Sequence, residues 1–348
     1  MEFLDATSAE RYLRRAGRIA PTQRVVVSEL AGGVSNQVLY VSCAKQDGDD
    51  FVLKQVRPQL RTPQPWFSSV GRIWRELDVL RAFAANLPDG RTPRVLFEDR
   101  ENYLFAMTAA PKHHATWKAQ LMANEVDPAI ATHCGRLLGT IHARTWGDHE
   151  LMERLGNREI FDELRLDPYY RATARACPAH AHSFEQVIES VCNHRLAMVH
   201  GDFSPKNLLV FRGGMMIVDF ETGHYGDPAF DLGFFLSHLV LKAFHHAPDH
   251  ERYLALTERF WDGYRGVVAA RVPADQLDRL VSRSVQNFAG CAWSRLDGKS
   301  RIDYLDDSGR QERVRTLCRE ILQEMHGTWG DVLVLCRSQL GEIEPSNL

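Results

Sequence analysis

Five short apolar runs mark the first third of the chain: Arg24–Val27, Val38–Val41, Phe51–Lys54, Arg94–Phe97 and Tyr103–Met107. The turn formers of Ala31–Asn36, Gln46–Asp50 and Asp99–Asn102 separate neighbouring runs, the pattern of antiparallel strands joined by tight connections. Between the third and fourth runs, Val70, Ile73, Leu77, Leu80 and Phe83 recur at helical spacing. The period changes after Thr108-Ala109-Ala110-Pro111. Ile130, Cys134, Leu137, Leu138 and Ile141 line one helical face, and helical patterns run from there to the end. His142 follows that face and reads as a packed, hydrogen-bonded core histidine. The expected architecture is α+β and bilobal: a five-stranded antiparallel sheet with a helix over residues 1–108, a hinge at Thr108–Pro111, and a larger, mostly helical part over residues 109–348.

One segment breaks the helical pattern. Ala197-Met198-Val199 leads into His200-Gly201-Asp202; Leu208–Phe211 and Met215–Val218 flank the turn signal Arg212-Gly213-Gly214, and the second run ends at Asp219-Phe220-Glu221. A lone His-Gly-Asp is ordinarily a turn. Here an Asp, an Asn five residues later and an Asp at the end of the returning strand occur together, each at the edge of an apolar run. A hairpin brings Asn207 and Asp219 to one end. An amide and a carboxylate are hard oxygen donors of the kind Mg²⁺ takes beside phosphates and water. Asp202, on the preceding loop, is placed to accept a hydroxyl proton.

His200-Gly201-Asp202-Phe203-Ser204-Pro205-Lys206-Asn207, Asp219-Phe220-Glu221 and Gly226–Gly233 resemble the catalytic loop, the metal motif and the following segment of the aminoglycoside phosphotransferase and choline kinase superfamily. The resemblance implies a protein-kinase-like fold, ATP and Mg²⁺ as cofactors, Asp202 as base, Asn207 and Asp219 as metal ligands, and Asp231 holding the catalytic loop through its backbone. It also implies Lys54 at the nucleotide phosphates with Glu76 as its acidic partner, although Arg72, one turn earlier, is an alternative partner for Glu76. Ser35 and Asn36 near the tip of a loose glycine-containing hairpin would approach the phosphates, Met107 and Ala109 the adenine, and Lys206 or Ser204 the transferring phosphoryl group. Only Met198–Gly233 is specific; the rest agrees in layout.

Composition narrows the classes. With 42 basic and 45 acidic residues the net charge is −3, unlike the basic, clustered surface of a nucleic-acid binder. No apolar stretch approaches the roughly 18 residues of a membrane span. The N-terminus, with Glu2 and Asp5, does not read as a signal peptide. Seven scattered cysteines without a Cys-x-x-Cys pair fit reduced thiols and a cytoplasmic setting. Nothing marks an oligomeric state.

The acceptor is expected to be a hydroxyl of a small molecule, met by the helical part. Two segments mix charge with aromatic rings: Phe161–Arg171, with Arg165, Asp167 and Tyr169, and Cys291–Ser300, with Trp293, Arg295 and Lys299. Aminoglycosides, choline-like amines, amino-alcohols and sugars all stay open, as does ATP against GTP. A catalytically silent nucleotide-binding homologue is the alternative, though no deletion of Lys54, Glu76, Asp202, Asn207 or Asp219 favours it. A protein kinase is disfavoured by Glu221 in place of the Gly of Asp-Phe-Gly. A metal hydrolase on His200, Asp202 and Asp219 lacks a second ligand cluster.

Overall fold

The computed structural model describes residues 1–30, 36–43, 50–59, 61, 69–324 and 327–341. By packing the chain divides into two compact units, Met1–Ala115 with Leu209–Glu221, and Thr116–Leu208 with Thr222–Leu348. The linear boundary expected after Thr108 therefore falls after Ala115, and the hairpin carrying Asp219 returns to the first unit.

In the first unit, strands β1 (Val25–Glu29), β2 (Asn36–Cys43), β3 (Phe51–Val56), β4 (Val95–Asp99) and β5 (Leu104–Thr108) form an antiparallel sheet in the order β1-β2-β3-β5-β4. All five match the apolar runs of the sequence. β3 is buried along its whole length, so both faces of the sheet are covered at its centre. On one face Leu39, Val41, Phe51, Leu53, Leu104 and Ala106 pack with Leu4, Tyr12 and Leu13 around a short helix, Ser8–Arg15. The sequence reading did not anticipate this helix, because only a few apolar positions mark its buried stripe. Alternation along β3 places Lys54 on the face opposite Leu53. The helix Arg72–Asn86 buries Ile73, Glu76, Leu77, Leu80 and Phe83 together with Arg72, Val79 and Ala82. A second, three-stranded sheet runs in the order β6 (His114–Thr116), β8 (Leu208–Phe211), β9 (Gly214–Ile217).

The second unit is helical apart from β7 (Ala197–Val199), paired antiparallel with β10 (His224–Gly226). Its central helix, Pro228–His245, is started by Asp227, whose side chain accepts the Ala229 N–H, and by Pro228 at the first helical position. This helix is buried all round from Pro228 to Phe244. The helices Pro128–Thr145 and His250–Val268 meet at glycine: a Cβ on Gly135 would lie 2.0 Å from the Phe260 carbonyl oxygen, and one on Gly263 2.3 Å from that of Thr132. Glycine is required here for approach, not for an unusual φ. The close crossing sets His142 beside Tyr264, Nδ1 to Oη at 2.9 Å.

Asp162–Arg171 forms a π-helix with Pro168 inside it. An Asp-Pro pair such as Asp167-Pro168 ordinarily marks the end of a helix. The wider turn instead carries the chain past a residue that lacks an N–H and would clash in a regular α-helix. Among the described residues no helix is long and apolar enough to cross a membrane, and all seven cysteines are free thiols.

The glycine crossing gives a stability test. Gly135→Ala should lower the urea midpoint by the equivalent of about 1–3 kcal/mol, because backbone must move. Gly266→Ala, on the same helix pair but with nothing within 4 Å, should leave stability unchanged or raise it by up to about 1 kcal/mol. Equal effects at the two sites would show that close approach is not what Gly135 provides.

Candidate active site

The catalytic loop hangs from one buried carboxylate. Asp231, in the first turn of the central helix, accepts the His200 N–H at 2.7 Å and the Gly201 N–H at 2.8 Å. His142 Nε2 lies 3.5 Å from Asp231 Oδ2. A line of contacts thus runs from Tyr264 through His142 and Asp231 to the loop. Gly201 has φ +71°, and a Cβ there would stand 2.7 Å from the Thr222 carbonyl oxygen, so the loop's turn needs glycine. Asp231 therefore has the backbone-holding role that the family resemblance implies, and His142 is the core histidine its helical position suggested.

Asp202 is 1% exposed. Three donors converge on its Oδ2: Arg165 Nη2 at 2.9 Å, Lys206 Nζ at 2.9 Å and Asn207 Nδ2 at 2.8 Å. A buried carboxylate is costly unless bonded, and here two cations and an amide satisfy it. Asn207 Nδ2 also donates to the Asp202 carbonyl at 3.0 Å, so the Asn207 amide oxygen is the atom with which it could face a cation. Ser204 Oγ is buried with no hydrogen-bond partner among the described residues, close in sequence to Asp202. Arg165 is placed by the π-helix and fixed by donating from Nε to the Gly201 carbonyl at 2.7 Å. The sequence suggests Arg165 only as a substrate contact; its hold on Asp202 leaves no trace there, because the two are 37 positions apart.

In the first unit a second polar cluster forms around Lys54. Its ammonium contacts Glu76 Oε1 and lies 2.8 Å from Asp219 Oδ1. Arg72, the alternative partner for Glu76, donates to the carbonyls of Ser69 and Arg57 instead. Burial disfavours the ammonium, but Asp219, Glu76 and Glu221 outweigh it and raise the Lys54 pKa. Burial also pushes Glu76 up to about 7, helped by Asp219 and Glu221 and opposed by Lys54. We take the ion pair as the ruling contact, with Lys54 charged. Asp219 has φ +71°, a conformation uncommon for a non-glycine residue and typical of functional turns.

Three carboxylates around one ammonium leave an excess of negative charge, which fits a divalent cation at Asp219. Asn36 donates to Glu221 Oε2 at 3.1 Å while its own Oδ1 is buried with no partner among the described residues. Asn36 thus sits at the start of β2 as a neighbour of the metal motif. Ser35 lies outside the described residues. Among these, no group of three His, Cys, Asp or Glu is placed to hold a metal. A cation would therefore complete its shell from phosphate and water, as Mg²⁺ does.

The remaining candidates fare unevenly. Met107 lies in β5 opposite Val52 and Val95. The Ala109 N–H donates to the Asp50 carbonyl at 3.1 Å, so only its carbonyl can serve an adenine. Trp293 is a correction: it is 2% exposed, packs on Phe184 and His180 and donates to Asp297, leaving no ring face for a ligand. Asp167 and Lys299 pair with each other at 2.9 Å on the surface, and Arg175 joins them. Tyr169 and Arg295 do meet, Oη to Nη1 at 3.1 Å, and Arg165 also lies over the Tyr169 ring.

Comparison with known proteins adds the family. Methylthioribose kinase 2 of Oryza sativa subsp. japonica is 24% identical over 274 residues, covering 69% of this chain and 63% of that enzyme, so the match spans less than two thirds of the relative. The methylthioribose kinase of Pectobacterium carotovorum subsp. carotovorum is 22% identical, covering 96% and 84%. Among solved structures, a choline kinase from Cryptosporidium parvum Iowa II matches with a TM-score of 0.56 at 12% identity, over 97% of this chain and 100% of that one. The amicoumacin kinase hAmiN, solved with AMP-PNP, Ca²⁺ and Ami, matches at 0.53 and 17%, over 94% and 96%. These structural likenesses show a shared kinase-like α+β fold. The model of the phosphotransferase enzyme family matches residues 26–270, well over half of the sequence and including both polar clusters, and the chain belongs to that family.

Proposed function

We propose that this chain is an ATP-dependent phosphotransferase that moves the γ-phosphoryl group to a hydroxyl of a small molecule. The observation that carries the reading is Asp202: a buried carboxylate on a loop whose backbone is pinned by Asp231, with three donors aimed at one of its oxygens. A group fixed in this way can orient an acceptor hydroxyl and take its proton without reorganising. Small-molecule kinases among the relatives support the acceptor class.

Residue roles follow from the two clusters. Lys54, held by Glu76, presents its ammonium to nucleotide phosphates. Asp219 and the Asn207 amide oxygen are the proposed ligands of Mg²⁺, which when bound neutralises charge on the transferring phosphates. Glu221, where protein kinases have a glycine, accepts from Asn36 and adds a further negative charge near Lys54. Lys206 reaches Asp202 with half of its side chain exposed, and so can turn to the transferred phosphoryl group. The Ala109 carbonyl and the Met107 backbone are the proposed adenine contacts, and Ser35 a phosphate contact. With free thiols and no membrane-crossing helix among the described residues, we place the protein in the cytoplasm.

Two substitutions test the assignment. Asp202→Asn should lower ADP release with Mg-ATP and acceptor by roughly 10²–10⁴-fold while leaving calorimetric Mg-ATP binding within about twofold; retained turnover would assign the base elsewhere. Asp219→Ala should abolish the gain in nucleotide affinity that Mg²⁺ confers. Identical affinities with and without Mg²⁺ in the parent protein, or an undiminished Mg²⁺ effect in the variant, would refute the ligand assignment.

A further inference from the structure

A lysine and a histidine lie inside the central helix, where every neighbour is buried. Phe234, His238 and Lys242 follow one another at intervals of four along Pro228–His245 and so share a face. Lys242 is 1% exposed, and among the described residues its ammonium donates only to the His238 carbonyl, at 3.2 Å. It also lies 5.2 Å from the centre of the Tyr304 ring, which Lys118, on the short helix Trp117–Met122, approaches at 6.0 Å. His238 packs on Phe234 at 4.9 Å, and its Nε2 is buried with no hydrogen-bond partner among the described residues; the Tyr304 hydroxyl is likewise unpartnered. Arg295 reaches Tyr169 and Ser300, and its Nε is a third orphaned donor. Among the described residues none of Lys118, Lys242 and Arg295 forms an ion pair with a carboxylate.

Buried cations are normally paired, because desolvation without compensation is costly. Here the charges repel one another. Burial, then Lys118 and Arg295, brings Lys242 down to about 7, and burial with Lys242, Arg295, Lys206 and Lys118 holds His238 well below the usual imidazole range. The groups facing Lys242 are thus Lys118, Arg295, His238 and Tyr304, with His245 and His246 also within electrostatic reach. The cluster is continuous with the catalytic loop: Arg165 lies 5.8 Å from both the Phe234 and Tyr169 rings and bonds Asp202 directly.

We propose that Lys118, His238, Lys242, Arg295 and the Tyr304 hydroxyl form the site for an anionic group, a carboxylate or a phosphate monoester, carried by the hydroxylated acceptor. This rests on the reading of Asp202 as the base and names the substrate class it serves. Bound there, an anion supplies the negative charge the cluster lacks and accepts from three orphaned donors. Polycationic aminoglycosides and quaternary ammonium alcohols meet repulsion instead. A neutral sugar leaves Lys242 uncompensated.

The experiment has two arms. Inorganic sulfate, whose charge is constant over the range used, is titrated against the full chain with Mg-AMP-PNP saturating, so that phosphate positions at the nucleotide are filled. At ten times its Kd, sulfate should raise the Tm by about 2–4 °C, more at pH 6 than at pH 9, since Lys242 loses its proton through about pH 7. Lys242→Met, which replaces a buried charge with a residue of similar length, and Arg295→Met should each cut the effect by at least half. An equal sulfate effect in both variants, or none in the parent protein, overturns the anion site. In the second arm, ADP release is measured with hydroxy acids, with sugar and polyol phosphates, and with aminoglycosides, choline and methylthioribose. Turnover confined to one of the two anionic groups identifies it, with Lys242→Met raising its KM at least tenfold and altering kcat little. Turnover of the cationic or neutral acceptors alone overturns the proposal and leaves the kinase reading standing. If Mg-AMP-PNP itself gives no thermal shift, the kinase reading fails, and the sulfate arm still decides the anion site.

Discussion

The carboxylate of Asp231 accepts two consecutive backbone amides, and the geometry of the second unit's polar site depends on it. With His200 and Gly201 fixed, Asp202 has one position, and Arg165, Lys206 and Asn207 can all be built to meet it there. Asp231 is itself held where the central helix begins, beside an imidazole that Tyr264 positions. The glycine contacts between Pro128–Thr145 and His250–Val268 are what let that imidazole and that phenol come together. Packing between two helices is therefore linked, through one histidine, to the orientation of a loop.

Both polar clusters obey the same constraint: a charge removed from water needs a partner. Around Lys54 the imbalance is negative, with three carboxylates and one ammonium, and its complement is a cation. Around Lys242 the imbalance is positive, and its complement is an anion. Around Asp202 two cations and an amide already compensate the one carboxylate, so it is a fixed element and not a vacancy for another cation.

Much of the fold could be read directly along the chain. Each strand of the first sheet coincides with an apolar run, because alternating burial on a sheet repeats every two residues and short turns punctuate it. The helix carrying Glu76 was visible for the same kind of reason. The Ser8–Arg15 helix was not, since so short a buried stripe scarcely differs from a polar tail. The π-helix was not either: its Asp-Pro pair signals a stop, and only the surrounding packing lets the chain continue through it. Trp293 shows the opposite error, an aromatic beside charges that suggested a pocket yet fills the core.

What the sequence determined by itself was the local chemistry. His200 to Asn207 and Asp219 to Glu221 are contiguous, so spacing along a strand or loop is enough to identify them. Tertiary structure decided the partnerships between residues distant in the chain: Arg165 with Asp202, Asn36 with Glu221, His142 with Asp231, and Lys118, Lys242 and Arg295 around two aromatic rings. Such pairs depend on how helices cross and which face each one buries. Whether a buried lysine is paired becomes legible only when its neighbours can be seen in three dimensions; among the described residues Lys242 forms no ion pair with a carboxylate.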